Sequence, residues 1–170
     1  MAKINSFEDI PVWQQSIELA VLIYHICGKG KLKTDFDMKV QVKKAACSIS
    51  NNIAEGYEYD NRKDFIRFLR IAKGSCGEVR NQLTIIKSVH LIDETDYITG
   101  KEKCISISKQ LKGLLNTLKI ILLKKICNLE SEIYNLIPPH IFPLHVIYKC
   151  FINHSISARC WIVTGKIPIA

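Results

Sequence analysis

The chain contains no run of 18 uninterrupted apolar residues, so no membrane-spanning helix is expected. Its opening stretch, Met1-Ala-Lys-Ile-Asn-Ser-Phe-Glu-Asp, has no apolar segment, so no secretory leader is expected either. Seven cysteines are present, an odd number with no Cys-x-x-Cys pair, which argues for reduced thiols in a cytoplasmic setting and against a disulfide framework. Glycine is scarce, eight in 170 residues, and three of the five prolines fall between 138 and 143. Little therefore interrupts helix over most of the length. What the chain does have is positive charge: 24 Lys and Arg against 16 Asp and Glu, net +8, nearly all of it within residues 1–127. Such a balance favours an acidic partner such as nucleic acid and says nothing about fold.

Hydrophobic periodicity predicts four helices joined by short connections. The first is expected from about Ile10 to Cys27, entered through Asp9 and Pro11 and left through Gly28-Lys-Gly30. It is apolar on two sides. Trp13, Ile17, Ala20, Val21 and Tyr24 make one face, and Leu19, Leu22, Ile23 and Ile26 another nearly opposite. A helix apolar on two sides is buried on two sides, so Leu19, Leu22, Ile23 and Ile26 are expected to meet a second copy of the chain. The second helix is expected from Asp35 to Glu55, stopped by Gly56 as a C′ glycine. The third, from Arg62 to Val89 with Asp60 or Asn61 as cap, carries an inward stripe that includes Phe65, Phe68, Leu69, Ala72, Cys76 and Val79. The fourth is expected to start near Thr95 or Asp96 and to pass Lys125. Long helices with short loops pack as antiparallel neighbours, which predicts an all-α, up-down-up-down four-helix bundle. Residues 1–127 are assigned to that bundle and 128–170 to an irregular C-terminal extension, because Pro138-Pro139 ends the helical pattern and no sustained period follows.

Beside the apolar stripe of the second helix (Val42, Ala45, Ala46, Ile49, Ile53) runs a polar one made of Lys44, Ser48, Asn52 and Glu55. The third helix adds Ser75 and Glu78. Together these six suit a hydrogen-bonded network between closely packed helices. Glu55 and Glu78 could be drawn as paired carboxylates for acid–base work, but no histidine, metal-ligand spacing or nucleophile–base pair stands nearby in sequence to complete a site. The structural reading is preferred, because half-buried polar groups need partners. Gly74, Ser75 and Gly77 resemble a phosphate loop, yet they lie mid-helix without the preceding strand or the following Lys-Ser/Thr. Close approach to the Ala45–Ser48 stretch would explain them. His140, His145, Cys150, His154 and Cys160 fit no established zinc spacing. No catalytic residue, cofactor or metal is assigned.

Three ordered motifs resemble the four-helix-bundle proteins encoded in intervening sequences of bacterial 23S rRNA genes. They are Phe7-x-x-Ile10-x-Val12-Trp13-Gln14, then Gln41-Val-Lys-Lys-Ala-Ala-Cys-Ser-Ile-Ser-Asn-Asn-Ile-Ala-Glu-Gly56. The third is Phe65-x-x-Phe68-Leu69-x-Ile71-Ala72-x-Gly74-Ser75-x-x-Glu78, followed by Gln82-Leu83. The resemblance spans residues 7 to about 125 and implies an antiparallel bundle assembled as a ring-like homopentamer, without a settled biochemical activity. A related protein, the accessory variability determinant of diversity-generating retroelements, implies a basic pentamer that works with a reverse transcriptase and nucleic acid. Lys44 stands where the family usually has Arg, which exchanges a bidentate contact for a point charge. The last 40 or so residues match nothing in the pattern.

The basic face of the third helix, Lys63, Arg67, Arg70, Lys73, Arg80 and Lys87, is the expected partner surface. Alone it would be an ordinary solvated face, but an oligomer arrays such charges and favours polyanion binding without sequence readout. Tyr57 and Tyr59, beside Arg62 and Lys63, are the aromatics placed for base stacking. The expectation is a non-enzymatic, cytoplasmic, homo-oligomeric scaffold that binds RNA or DNA, or a nucleic-acid enzyme such as a reverse transcriptase. The alternative is a purely structural or protein-binding oligomer.

Overall fold

The computed structural model describes residues 4–136, and they are helical almost throughout. Helix α1 spans Pro11–Cys27, α2 Phe36–Glu58, α3 Arg62–Ser88 and α4 Glu94–Leu136. Successive helices run up, down, up and down, as expected for a bundle with short connections. Single-turn 3-10 helices at Phe7–Asp9 and Lys31–Thr34 lead into α1 and α2. By compactness the chain divides into two units, Met1–Leu118 and Lys119–Ala170. The boundary expected near residue 127 falls inside α4. Of the expected extension, residues 137–170, with the His140, His145, Cys150, His154 and Cys160 grouping, lie outside the described residues.

Each helix start has a local cause. Pro11 opens α1, where its missing N–H costs no hydrogen bond. The Asp35 carboxylate accepts from the Met38 amide at 3.0 Å, and Asn61 Oδ1 from the Lys63 amide at 2.9 Å. Asp93 Oδ1 accepts from the Asp96 amide at 2.8 Å, so the cap of α4 stands just ahead of the Thr95 or Asp96 start that was expected. Gly56 is a second departure. It lies inside α2, which continues to Glu58, and the reversal falls instead at Asp60, whose φ is 48°. Its role is steric: a Cβ there would sit 2.6 Å from the Cβ of Phe68. Only glycine lets α2 and α3 approach this closely.

The core of the first unit takes Leu19, Ile23 and Ile26 from α1, and Ile49 and Ile53 from α2. It adds Leu69, Leu83 and Ile86 from α3, and Ile107 and Leu111 from α4. All are essentially solvent-free, and each such side chain contributes roughly 1.5–3 kcal/mol of burial. This corrects the reading of α1. Leu19, Ile23 and Ile26 fill the chain's own core, and Leu22 is half-buried beside them. The apolar side left to solvent is the other one, with Ile17, Val21 and Tyr24 at 38%, 51% and 52% exposure. Gln110 Nε2 of α4 donates to Gln15 Oε1 of α1, and Gly100 of α4 packs near Leu83 of α3.

Candidate functional site

Between α2 and α3 runs a short polar seam. Ser48 Oγ and Ser75 Oγ lie 2.9 Å apart, and Asn52 Nδ2 donates to the Ser48 carbonyl at 2.7 Å and to Ser48 Oγ at 3.1 Å. Ser75 is buried and also donates to the Ile71 carbonyl at 3.2 Å. The hydroxyls meet because both helices carry small residues where they touch, so the backbones come close enough for two short side chains to bond across the gap. Lys44, Glu55 and Glu78 share this side of the pair but are exposed. Among the described residues none of the three enters an ion pair. Three of the six expected network residues thus bond to one another, and three face solvent. Gly74 and Gly77 are not explained by close packing, because a Cβ at either would meet nothing within 4 Å.

The six cations expected along α3 do not form one face. Lys63, Arg67 and Arg70 are exposed near its start, whereas Lys73, Arg80 and Lys87 are half-buried. Lys87 Nζ is spent on Glu94 at 2.6 Å. Arg80 lies deep enough that its Nε is buried without a hydrogen-bond partner, as is Gln82 Oε1. The reason is geometric for two of the half-buried three: Lys87 reaches Glu94 of α4 and Arg80 lies near Cys104 of α4, while Lys63, Arg67 and Arg70 project from a side of α3 that stays exposed. Arg67 makes an i,i+3 pair with Asp64 at 3.4 Å, and its guanidinium lies 4.4 Å from the centre of the Phe68 ring.

Those cations adjoin an aromatic cluster at the α2–α3 turn. Tyr59 stacks on Phe68 with centroids 5.2 Å apart and planes 21° from parallel. Tyr57 meets Phe65 edge-on at 6.1 Å. Sequence reasoning placed Phe65 and Phe68 in the core and so missed them as supports for the two tyrosines. The signal was available, since Tyr57-x-Tyr59 and Phe65-x-x-Phe68 flank a tight reversal. The same turn carries Glu55, Glu58, Asp60 and Asp64.

Elsewhere the described residues offer little chemistry. Burial pushes the Cys76 thiol up to about 11, more than the nearby Arg80 lowers it, and burial with the neighbouring Cys76 pushes Cys104 up to about 12. Thiols held protonated in this way are poor nucleophiles. An open cleft of about 350 Å³ lies between the α1–α2 and α3–α4 loops, lined by Lys29, Gly30, His90, Asp93 and Asp96 among others. Lys29 closes on Asp96 across it at 3.2 Å. Among the described residues no cluster of histidine, cysteine and carboxylate could hold a metal ion, and no helix is long and apolar enough to cross a membrane.

The seam, the open cations and the aromatic turn all fall within residues 8–113, which match the sequence profile of the 23S rRNA-intervening sequence proteins. The chain belongs to that family. A solved structure agrees: a protein of unknown function from the S23 ribosomal protein family of Bacteroides thetaiotaomicron is 27% identical, with a TM-score of 0.56. The match covers 61% of this chain and 97% of that one. No protein of curated function matches the sequence. Membership in the 23S rRNA-intervening sequence family fits the helical bundle, and the seam lies within the matched residues. It assigns no activity to either.

Proposed function

We propose that this protein is a non-catalytic helical scaffold that assembles with copies of itself and holds nucleic acid, RNA foremost, through the cations that open α3. The observation that carries this reading is the exposure of Lys63, Arg67 and Arg70 on one side of one helix, in contrast to the half-buried Lys73, Arg80 and Lys87. The seam supports the non-catalytic part. The hydroxyls of Ser48 and Ser75 and the amide of Asn52 bond to one another, while Glu55 and Glu78 stand outside that chain. Self-assembly is supported by apolar side chains left at the surface, Ile17, Val21 and Tyr24 on α1 and Ile71 and Ile85 on α3. Five subunits are the number implied by the family resemblance.

Binding of labelled RNA measured across salt tests the reading. Counterion release predicts that affinity falls steeply between about 50 and 200 mM salt. Charge reversal at Arg67 and Arg70 should weaken binding alike for unrelated RNAs while the fold persists, since exposed charges contribute only about 0–1 kcal/mol each. One observation favours the second reading, an oligomer without nucleic-acid affinity: Glu55, Glu58, Asp60 and Asp64 offset the cations of the same turn. Absence of RNA binding at low salt, with light scattering still showing an oligomer, would establish that reading.

A further inference from the structure

The α2–α3 turn holds one aromatic ring in an arrangement that simple surface exposure does not explain. Tyr59 is 54% exposed, yet its ring lies nearly parallel on Phe68, which is only 6% exposed and cannot give way. Phe68 is fixed in turn by α2, because Gly56 brings that helix against its Cβ. Arg67 lies against the same Phe68 ring. A tyrosine pinned by one face presents its other face to solvent with little rotational freedom left to lose, and a flat ligand finds the stacking surface already ordered. Tyr57 is half-buried and engaged edge-on with Phe65, so it offers no comparable free face.

We propose that Tyr59 is a stacking ledge for one unpaired base of a single-stranded nucleic acid, with Lys63, Arg67 and Arg70 holding the phosphates beside it. This deepens the nucleic-acid reading given above and rests on it. The chemistry selects single strands because a base already paired and stacked in a duplex has no face to give. The charges set the path. The acids Glu55 and Glu58 lie on α2 and repel phosphate beside the ledge, whereas on α3 the one acid next to these cations, Asp64, is paired with Arg67 and leaves Lys63 and Arg70 open. The strand therefore leaves the ledge along α3. Sequence preference is weak, since every base has a stacking face and phosphate contacts carry no code.

The test uses the full chain and fluorescence anisotropy with a short oligouridylate, an oligothymidylate and a duplex of equal length, with thermal melting to confirm that each variant is folded. Wild-type protein should bind both single strands more tightly than the duplex. Tyr59→Ala should lower single-strand affinity roughly tenfold and leave duplex affinity unchanged, and Tyr59→Phe should restore it. Glu58→Gln should leave the preference for single strands intact, because it removes only a repulsion. If Tyr59→Ala binds single strands as well as wild type while charge reversal at Arg67 and Arg70 abolishes binding, the ledge is wrong and the nucleic-acid reading stands. If wild-type protein binds none of the three at low salt, both are wrong. Equal loss for duplex and single strand in Tyr59→Ala would also overturn the ledge, since stacking on an unpaired base cannot act on a duplex.

Discussion

The two ends of the bundle use the same kinds of residue to opposite effect. Where the α1–α2 and α3–α4 loops meet, charges are consumed: Lys29 pairs with Asp96, Lys87 with Glu94, and Lys101 donates to the Tyr97 phenol at 3.0 Å. That hydrogen bond, with a smaller contribution from the nearby Thr84 side chain, draws the phenol below its usual range. At the α2–α3 turn, Lys63 and Arg70 stay open, Arg67 rests on an aromatic ring and pairs only with Asp64 one turn away, and Tyr59 is 54% exposed. One end is closed by its own side chains. The other keeps groups free beside the close approach of α2 and α3 at Gly56, which is how a binding surface can be rigid without being buried.

The largest expected effect tests that rigidity. Gly56→Val should cost about 2–3 kcal/mol, because its Cβ would overlap the Cβ of Phe68 and neither backbone can retreat without parting the helices. Gly100→Ala near the other end should stay within about 1 kcal/mol of wild type. There the new methyl meets the terminal Cδ1 of the Leu83 side chain at 2.8 Å, not backbone or a Cβ, and the gain in helix propensity offsets the adjustment. Chemical denaturation of both variants checks the contrast, and equal losses would mean the two ends are equally tight.

A pH-dependent effect, small near pH 8 and growing above it, comes from the buried thiols of the helical body between those ends. With folded values raised to about 11 for Cys76 and about 12 for Cys104, folding favours the protonated forms. Their contribution to stability is complete below the ordinary thiol value of 9.0 and is lost as pH rises toward 11–12. Denaturation midpoints measured from pH 8 upward should fall, and Cys76→Ala should make the fall shallower. Both thiols should resist alkylation at neutral pH until the chain unfolds.

Gly74→Ala sharpens the question of the outer surface. In an isolated chain the methyl enters open space, so stability should rise by roughly 0.5–1 kcal/mol. A loss of stability that grows with protein concentration would instead show that a second copy occupies the space beside Gly74. The smallest effect is expected at the closed end. Asp96→Asn removes the pair with the solvent-exposed Lys29 ammonium and should cost no more than about 1 kcal/mol, with melting temperature as the readout.

Helix positions and the inward stripes of α2 and α3 were legible, because periodicity reports which residues share a face. What periodicity does not report is which of two apolar faces turns inward. That is why Leu19, Ile23 and Ile26 were read as an interface, although the body of the chain closes over them and leaves Val21 and Tyr24 outside. Gly56 was misread for a related reason. A glycine before two tyrosines looks like a helix stop until the Phe68 Cβ is placed against it, and that contact spans the turn. Of the seam, the Ser48–Ser75 bond was legible as paired polar stripes, while the outward turn of Lys44, Glu55 and Glu78 depended on how deep each stripe sits between the helices. The half-burial of Arg80 and Lys87 among the α3 cations likewise follows from where α4 lies, a fact external to α3.

The turn at Asp60 also has a kinetic meaning. It joins α2 to α3 through three residues, so these helices can meet at little cost in loop entropy, before α1 or α4 has docked. The hairpin and the aromatic cluster it organises are then expected to form early. Gly56→Val should act mainly by slowing refolding, whereas Asp96→Asn, at the loops that close last, should act mainly by speeding unfolding. Stopped-flow rates for the two variants would separate an end that starts the fold from an end that only locks it.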